Sequence, residues 1–212
     1  MRWYNSAMKT IDQIIKQSEE IFKKSGIAST TTNHIADHME VSPAKIYYYF
    51  KNKEEILLKI QSNIAGEYNI FQKKDISELS PSENLTLLFH TLYFIKHRYS
   101  FFYCEISYIL RNFNSVRDDY VRSKKSITKK IGKFFKSICM EMPQPEINRL
   151  VDIHWHIQET WLEYNSVNGK PVTPSVIIKG INASMTVIQP FLQDAIKGEF
   201  NAFLNQRKKG KP

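Results

Sequence analysis

The amino-acid sequence predicts an all-α protein. Apolar residues recur at intervals of three and four along most of the chain, which is the periodicity of amphipathic helices. No segment shows the sustained two-residue alternation of a half-buried strand. Glycine is scarce, at 7 residues, and the 8 prolines fall mostly between the periodic segments. We therefore expect about nine helices and no sheet, divided into a short unit over residues 8–68 and a larger helical unit over residues 69–205.

The first two helices are predicted from their ends. Residues 10–25 carry a helical apolar stripe that stops at Gly26, a residue that readily adopts the backbone conformation of a helix end. Either Thr30 or Thr31 can cap the second helix, because a hydroxyl accepts a hydrogen bond from a free N–H of the first turn.

The next two helices begin at recognisable caps. Ser42 is followed by Pro43, and proline is favoured at the first helical position because its missing N–H costs nothing there. Asn52 with Glu55 resembles a capping box at the start of the fourth helix. That helix has an apolar stripe formed by Ile56, Ile60, Ile64, Tyr68 and Phe71.

The larger unit starts after a lapse in the pattern over residues 73–80, which predicts a loop. Ser80 and Pro81 then cap a helix. Residues 99–110 are so rich in apolar side chains that this helix should be buried on nearly all sides. Further helices are predicted over residues 116–140, 146–166 and 174–203.

The composition points to a polyanionic partner. The net charge of +9 suits nucleic acid or an anionic membrane surface, although proteins can also be basic without a specific partner. The two cysteines, Cys104 and Cys139, lie far apart in apolar helical segments, which favours reduced thiols in a cytoplasm. No run of about 18 apolar residues predicts a membrane span, and the N-terminus lacks the pattern of a signal peptide. We expect a cytoplasmic, nucleoid-associated protein.

Residues 30–53 have the properties of a DNA-reading helix-turn-helix. The second of its helices would present its N-terminus, with proline and a small alanine, to the edges of the bases. Three consecutive tyrosines follow, and a helix in so small a unit cannot bury all of them. Lys45 can donate to guanine, and Lys53 lies at a helix N-terminus, a position that favours phosphate. Aromatic residues at helical spacing are more often core, and we assign that role to Phe50.

These residues also carry a resemblance to a known family. Gly26, Thr31, Ile35-Ala36, Val41-Ser42, Ile46-Tyr47, Phe50, Lys53-Glu54 and Leu57 resemble the signature of TetR-family transcriptional regulators over about residues 8–68. The resemblance implies three DNA-binding helices, a connecting helix and a larger helical domain that dimerises and often binds a small ligand. One position departs from it: Glu40 stands where the family commonly has glycine. A left-handed conformation there would cost about 1 kcal/mol.

By that resemblance, eleven positions would face DNA. They are Thr31, Thr32, Asn33, Ser42, Pro43, Ala44, Lys45, Tyr47, Tyr48, Tyr49 and Lys53. Base readout would fall mainly to Pro43, Ala44, Lys45 and Tyr48. Backbone positioning would fall to Thr31, Tyr47, Tyr49 and Lys53.

The larger unit is expected to pair two copies and to sense a ligand. One helix-turn-helix reads too few bases, so a homodimer on a palindromic operator is expected. Candidate interface residues, which could instead fill the core of one chain, are Trp161, Ile178, Ile181, Met185, Ile188 and Leu192. Candidate pocket residues for a small apolar or aromatic ligand, which could instead be plain core, are Tyr68, Phe71, Phe89, Tyr93, Phe94, Phe102, Tyr103, Tyr108 and Trp155.

Other sites have little support. No cofactor motif is present, and no Ser/His/Asp set has supporting context, so we do not expect an enzyme. His154 and His156 would face different ways on a helix, and His90 and His97 lack close carboxylate or thiol partners, so no metal site is expected. The basic face from Arg117 to Lys136 is either a solvated surface or a contact for DNA, membrane or an acidic partner.

Three interpretations follow from the sequence. The first is a DNA-binding repressor that is released by a small apolar or aromatic ligand. The second keeps DNA binding but replaces the ligand with a protein partner. The third is a helical enzyme or membrane-surface protein.

Overall fold

The computed structural model describes residues 2–68 and 79–208. These residues form eleven α-helices and one short 3-10 helix, with no β-strand among them. The helices are α1 (Arg2–Ser25), α2 (Thr32–His38), α3 (Pro43–Tyr49), α4 (Lys53–Glu67), α5 (Pro81–Arg98), α6 (Ser100–Cys104), α7 (Ile106–Asn112), α8 (Asn114–Ile138), α9 (Gln144–Val167), α10 (Pro174–Thr186) and α11 (Asp194–Lys208). The all-α prediction is confirmed, and the count exceeds nine because two expected helices are each broken once.

Helices α1 to α4 share one small core. Helix α1 starts at Arg2, well before the expected start at Thr10, and ends as predicted at Gly26, whose φ is +80°. The Gly26 N–H donates to the Phe22 carbonyl at 2.9 Å. The side chains buried between the four helices include Ile14, Phe22, Ile27, Ile35, Ile46 and Leu57. Their burial fixes the orientation of α3 relative to α1 and α4.

Helix α5 begins at the predicted cap. The Ser80 hydroxyl accepts from the Glu83 N–H at 3.3 Å, and the Glu83 carboxylate accepts from the Ser80 N–H at 2.9 Å, which completes a capping box. Most of the loop expected over residues 73–80 lies outside the described residues.

The predicted helix over residues 99–110 is divided at Glu105. This residue has φ −124° and ψ +22°, which separates α6 from α7. Its carboxylate accepts hydrogen bonds from the Ile27 N–H at 2.6 Å and the Ala28 N–H at 2.9 Å, in the connection between α1 and α2. The break therefore docks the larger helical unit onto the N-terminal helices.

Helices α8 and α9, of 25 and 24 residues, are the longest helices of the larger unit. They are joined by the short segment 139–143 and pack against each other, while α8 also packs on α4 and α9 on α10. Phe135, Leu150 and Leu162 belong to the core that these helices enclose.

The predicted final helix over residues 174–203 is interrupted. Helix α10 ends at Thr186, a 3-10 turn spans Gln189–Phe191, and α11 starts at Asp194. Pro190 explains the break, since its ring clashes with a continuing helix and it lacks an N–H. The interrupted segment bonds instead to the end of α8, through Met140 N–H to Phe191 carbonyl at 2.7 Å and Gln193 N–H to Ile138 carbonyl at 3.1 Å.

Within residues 2–68 and 79–208, no helix is long and apolar enough to span a membrane.

Candidate nucleic-acid interface and regulatory core

The turn between α2 and α3 is closed by main-chain hydrogen bonds around Glu40. Its φ is +53°, the one positive φ of a non-glycine residue among the described residues. The Glu40 N–H donates to the Asp37 carbonyl at 3.1 Å, and the Val41 N–H donates to the Ala36 carbonyl at 3.0 Å. This is the Schellman arrangement that terminates helices. The glutamate thus occupies the left-handed position that favours glycine, and these bonds hold it there.

Helix α3 is held by its buried face and leaves its N-terminus open. Ile46 is fully buried and Phe50 nearly so, as predicted. The cap residue Ser42 is exposed, and its hydroxyl makes no capping bond, so it stays available to another acceptor or donor. Three more exposed residues complete this end of the helix: Pro43, Ala44 and Lys45.

Two of the three tyrosines of α3 are exposed, and the third, Tyr49, packs against the edge of the core. Tyr47 is 47% exposed and Tyr48 is 68% exposed, whereas Tyr49 is partly buried. The Tyr47 hydroxyl lies 3.0 Å from the Thr32 hydroxyl and so ties α3 to α2. The rings of Tyr48 and Tyr49 pack edge to face with centroids 4.9 Å apart. Because unpaired aromatic surface is costly in water, this exposed cluster is best explained as a contact surface.

Lys53 is positioned by the main chain of the N-terminal helices. Its Nζ donates to the Ile27 carbonyl at 2.7 Å and to the Thr30 carbonyl at 2.8 Å. The ammonium also lies 5.6 Å from the Phe113 ring centroid. Burial lowers the pKa of Lys53 from its usual value, and the nearby Glu105 carboxylate opposes that shift. Two of the three N–H groups of the ammonium are therefore committed to the fold.

The eleven predicted DNA-facing residues all lie on α2, on α3, at their caps or at the first residue of α4. Thr31 caps α2 by accepting from the His34 N–H at 3.2 Å, and Asn33 is exposed beside it. Thr32 is buried and its hydroxyl pairs with that of Tyr47, so the structure does not place its side chain on the exposed face with the other predicted residues. Sequence reasoning overlooked His34, an exposed residue whose Nδ1 accepts from the Thr31 N–H at 3.3 Å. Its position three residues after the cap is the signal that could have identified it.

The predicted ligand-pocket residues are brought together only in part. Tyr68, Tyr103 and Trp155 line one cavity of about 10 Å³, together with Tyr120 and Glu159. A second cavity, of about 20 Å³, lies between Tyr68 and the neighbouring helices α5 and α8. Volumes of this size hold about one water molecule. Around these aromatic candidates, the described part of the chain therefore encloses no ligand-sized cavity in this arrangement.

The other candidate pocket residues are distributed differently. Phe89 and Phe102 are packed in the core, and Phe94 is 46% exposed, so it faces away from the cavities. Tyr93 stacks on His97, and Tyr108 packs edge to face on Phe113. Phe71 lies outside the described residues.

A buried ion pair, which the sequence analysis missed, lies beside the first cavity. The Lys96 ammonium is 3.6 Å from the Glu159 carboxylate and 3.1 Å from the Tyr103 ring centroid. The Tyr120 hydroxyl donates to Glu159 at 2.7 Å and accepts from Trp155 at 3.0 Å. Burial lowers the pKa of Lys96 to about 8, an effect that the Glu159 carboxylate reduces. Since 3.6 Å is too long for a hydrogen bond, this is an ion pair with an unsatisfied ammonium. Its signal in the sequence was a lysine on the apolar stripe of α5.

The residues expected to form a dimer interface are core residues of a single chain. Five of them have no surface left for a second copy: Ile178, Ile181, Met185, Ile188 and Leu192. Trp161 is only partly buried, but its indole N–H donates to the Val176 carbonyl at 2.8 Å, and its ring packs against Gly180. The prediction placed the interface on the inner faces of these helices because an apolar stripe cannot show which side meets the chain's own core.

Helix α9 has a second, outward-facing stripe. It consists of Ile153, Ile157, Thr160, Tyr164 and Val167, at alternating steps of four and three residues. Ile153 is 49% exposed, Tyr164 is 64% exposed and Val167 is 81% exposed. This spacing is that of helices that pack side by side.

Comparison with known proteins agrees with this geometry. Residues 14–60 match the family model described as bacterial regulatory proteins of the tetR family, and residues 68–200 match the model described as bacterial transcriptional repressor. The biofilm operon icaADBC negative transcriptional regulator IcaR of Staphylococcus aureus is 24% identical over 143 residues, which are 66% of this chain and 77% of that protein.

Solved structures share the fold. A TetR-family transcriptional regulator from Marinobacter aquaeolei VT8 superposes with a TM-score of 0.81 at 23% identity, covering 96% of this chain and 99% of that one. The transcriptional regulator FadR from Bacillus subtilis, crystallised with stearoyl-CoA, superposes with a TM-score of 0.62 at 18% identity, covering 85% of this chain and 97% of that one. The two family models together cover most of the sequence, and the chain therefore belongs to the TetR family of bacterial transcriptional regulators.

Proposed function

We propose that this DNA-binding regulator is a repressor that binds a palindromic operator as a homodimer in the cytoplasm. The observation that carries the proposal is the open face of α3, where Ser42, Lys45 and Tyr48 are exposed on a helix whose other side is fixed by Ile46. The similarity to IcaR, a negative regulator, supports repression. We place the end of the DNA-binding domain at Tyr68, the C-cap of α4.

The roles within the interface follow from reach and chemistry. Pro43, Ala44 and Lys45 would meet the base edges from the open N-terminal turn of α3, and Tyr48 would meet them from the exposed face one turn further on. Thr31, Tyr47, Tyr49 and Lys53 would meet the backbone, together with the exposed Asn33 and Ser42 at the helix N-termini, where N–H groups favour phosphate.

The test is selection of bound duplexes from a random pool, followed by titration of the selected sequence with variants. Lys45→Ala should lose about 1 to 3 kcal/mol of binding, concentrated at one base position in each half-site. Lys59→Ala removes the same charge from an exposed site on α4 and should leave sequence preference unchanged. Selection of a single half-site, or no sequence preference at all, would refute operator recognition by a dimer.

The outward stripe of α9 is the dimer interface that we propose in place of the buried residues. Its exposed isoleucine, tyrosine and valine side chains would pack against the same stripe of a second copy. The double variant Ile153→Glu/Tyr164→Glu should be a monomer in analytical ultracentrifugation and should retain its helical spectrum. Val121→Glu, a charge added at a 57% exposed apolar residue of α8, should remain a dimer. Equal dissociation of both variants would place the interface elsewhere.

A small apolar or aromatic ligand would act through the core around Tyr68. The FadR structure with stearoyl-CoA shows that a protein of this fold can hold a ligand with a long apolar chain. Here the ligand would have to open the water-sized cavities beside Tyr103 and Trp155. By binding that open arrangement better, it would shift α4 and release the operator. Stearoyl-CoA is a suitable probe, and a rise in melting temperature together with operator release would support this mode of control.

A protein partner is the second candidate for control. The observation that favours it is the close packing of the aromatic core, whose cavities are of about 10 and 20 Å³. In that case stearoyl-CoA should change neither the melting temperature nor operator binding. Family membership lends no support to the third interpretation, a helical enzyme or a membrane-surface protein.

A further inference from the structure

A basic groove runs between α8 and α9, apart from the DNA-binding helices. Its volume is about 530 Å³, far larger than the water-sized cavities of the core and within the usual range of small-molecule sites. The residues that line it are Lys125, Thr128, Lys129, Gly132, Lys133, Lys136, Gln144, Asn148, Val151 and Asp152. We name it the α8–α9 groove.

One wall of this groove is a row of four lysines. Lys125, Lys129, Lys133 and Lys136 follow one another at steps of four, four and three, so they project from one face of α8. Among the described residues none of the four forms a salt bridge, and Asp152 is the one carboxylate that lines the groove. Like charges four residues apart on a helix repel one another. A bound anion would relieve that repulsion.

The opposite wall supplies neutral polar groups. Gln144 Nε2 donates to Asn148 Oδ1 at 3.0 Å, which orients the Asn148 amide and leaves its NH₂ group free to donate elsewhere. The floor is formed where Gly132 meets Val151, since a Cβ at position 132 would lie 3.7 Å from a Val151 methyl group. The site therefore combines a cationic wall, an amide wall and a small apolar floor.

The position of the groove argues against a contact with the operator. The N-terminal end of α8 lies next to α4, where the Ser115 N–H donates to Glu54 at 2.8 Å. Lys125 to Lys136 follow Ser115 by about 10 to 21 residues, which places them roughly 15 to 32 Å further along the helix. DNA bound to α3 would have to bend to contact these lysines.

We propose that the α8–α9 groove binds a small polyphosphorylated molecule, such as a nucleoside polyphosphate. Several phosphates would lie along the lysine row, and the non-ionic part of the ligand would bond to Gln144, Asn148 and Asp152. A concave site of this volume suits one small molecule better than a membrane surface, which basic segments meet with an open face. This site is distinct from the aromatic core and is independent of the function proposed above.

The probes are inorganic tripolyphosphate and ATP, titrated into the full chain by calorimetry at moderate salt. Binding should saturate at one molecule per chain, and Lys129→Gln/Lys133→Gln should weaken it about tenfold or more. Lys16→Gln/Lys170→Gln removes two exposed lysines outside the groove and should weaken binding less than about twofold. Equal weakening by both pairs would show a diffuse effect of net charge and would overturn the proposal.

A variant that keeps the net charge distinguishes binding at a specific site from non-specific attraction to the positive charge of the protein. Asn148→Leu keeps the net charge and should weaken binding of ATP more than binding of tripolyphosphate. Melting curves of each variant without probe should show no loss of stability relative to the parent, because all the changed side chains are exposed. Failure of both probes to bind would overturn the proposal. The proposal would also be overturned if Lys129→Gln/Lys133→Gln weakened binding to non-specific duplex DNA or to anionic phosphatidylserine vesicles but left binding of the two probes unchanged.

Discussion

At the scale of single residues, Lys53 ties the start of α4 to the segment that connects α1 and α2. Two of its three N–H groups bond to carbonyls in the segment between α1 and α2, which leaves the third for the backbone contact proposed above. A residue with both roles changes two measurable properties when it is replaced, the stability of the fold and the salt dependence of DNA binding.

Lys53→Ala should weaken binding to all DNA sequences and flatten the dependence of log affinity on log salt by about one unit, because one phosphate contact is lost. The melting temperature should also fall, since two carbonyls lose a charged donor. Lys51→Ala, a change at an exposed lysine close by, should leave the melting temperature unchanged. An affinity loss confined to one base position would contradict the role in backbone contact.

Glu40 is the residue whose backbone conformation is least favourable for its side chain. Glu40→Gly should stabilise the protein by about 0.5 to 1 kcal/mol, because relief of the left-handed strain exceeds the entropy cost of glycine. Glu40→Ala keeps the Cβ and should be close to neutral. Chemical denaturation measures both, and a less stable glycine variant would show that the Glu40 side chain makes a compensating contact.

At the scale of helices, the junction between α6 and α7 holds the two parts of the chain together. Glu105 accepts from the main chain of the α1–α2 connection, while Glu163 of α9 accepts from the Ser107 N–H at 3.1 Å and from its hydroxyl at 2.6 Å. The short segment around the α6–α7 junction is thus bonded to the α1–α2 connection on one side and to α9 on the other.

Glu105→Gln should speed hydrogen exchange at the Ile27 and Ala28 amides, because a carboxylate that accepts two N–H groups is replaced by one carbonyl oxygen and an NH₂ donor. Glu163→Gln changes the same kind of carboxylate on the other side of the junction and should leave those two amides as slow as in the parent. Exchange that is equally fast in both variants would indicate general loosening rather than loss of a specific contact.

The sequence predicted these helices better than it predicted their breaks. Caps at Thr31, Asn52 and Ser80 were readable because each is a local exchange of hydrogen bonds. The break at Glu105 depends on amides 77 and 78 residues away, and no local pattern records that distance. Pro190 could be seen in the sequence, but the apolar periodicity continued beyond it, so the break between α10 and α11 was not predicted.

The candidate sites show the same division. The open face of α3 was predictable because three adjacent tyrosines cannot all be buried on one short helix. The dimer residues were misplaced because helical periodicity identifies a buried face without identifying what covers it. The α8–α9 groove needed two helices that meet only in the folded chain, although its lysines were visible as a basic face.

At the scale of the whole molecule, the buried pair of Lys96 and Glu159 makes stability depend on pH. The pKa of Lys96 is lowered to about 8 from 10.5 by burial. Between these values the unfolded chain binds more protons than the folded one, so this lysine makes stability rise with pH from about 8 toward 10. Burial raises the pKa of Tyr68 and Tyr120, so the contribution of these phenols falls as pH rises above about 10.

Lys96→Met/Glu159→Gln should abolish the rise in stability between about pH 8 and 10 and should be as stable as the parent, or more so, at pH 7. Lys96→Met alone should cost about 3 to 5 kcal/mol at pH 7, because the carboxylate is left buried without its partner. Denaturant unfolding at pH 7, 8, 9 and 10 gives these values; parallel pH profiles of the parent and the double variant would exclude a deprotonating lysine.

The hydrogen bonds of the Glu105 carboxylate also limit how this protein can be truncated or fused to parts of other regulators. An expression fragment that ends at Tyr68 would lose the acceptor of two main-chain amides, together with the Glu54 contact to Ser115. Such a fragment should therefore be a poorer DNA-binding module than its own hydrophobic core suggests. For the same reason, a chimaera that joins α1 to α4 to the larger helical unit of another regulator will need an acidic residue at the position of Glu105.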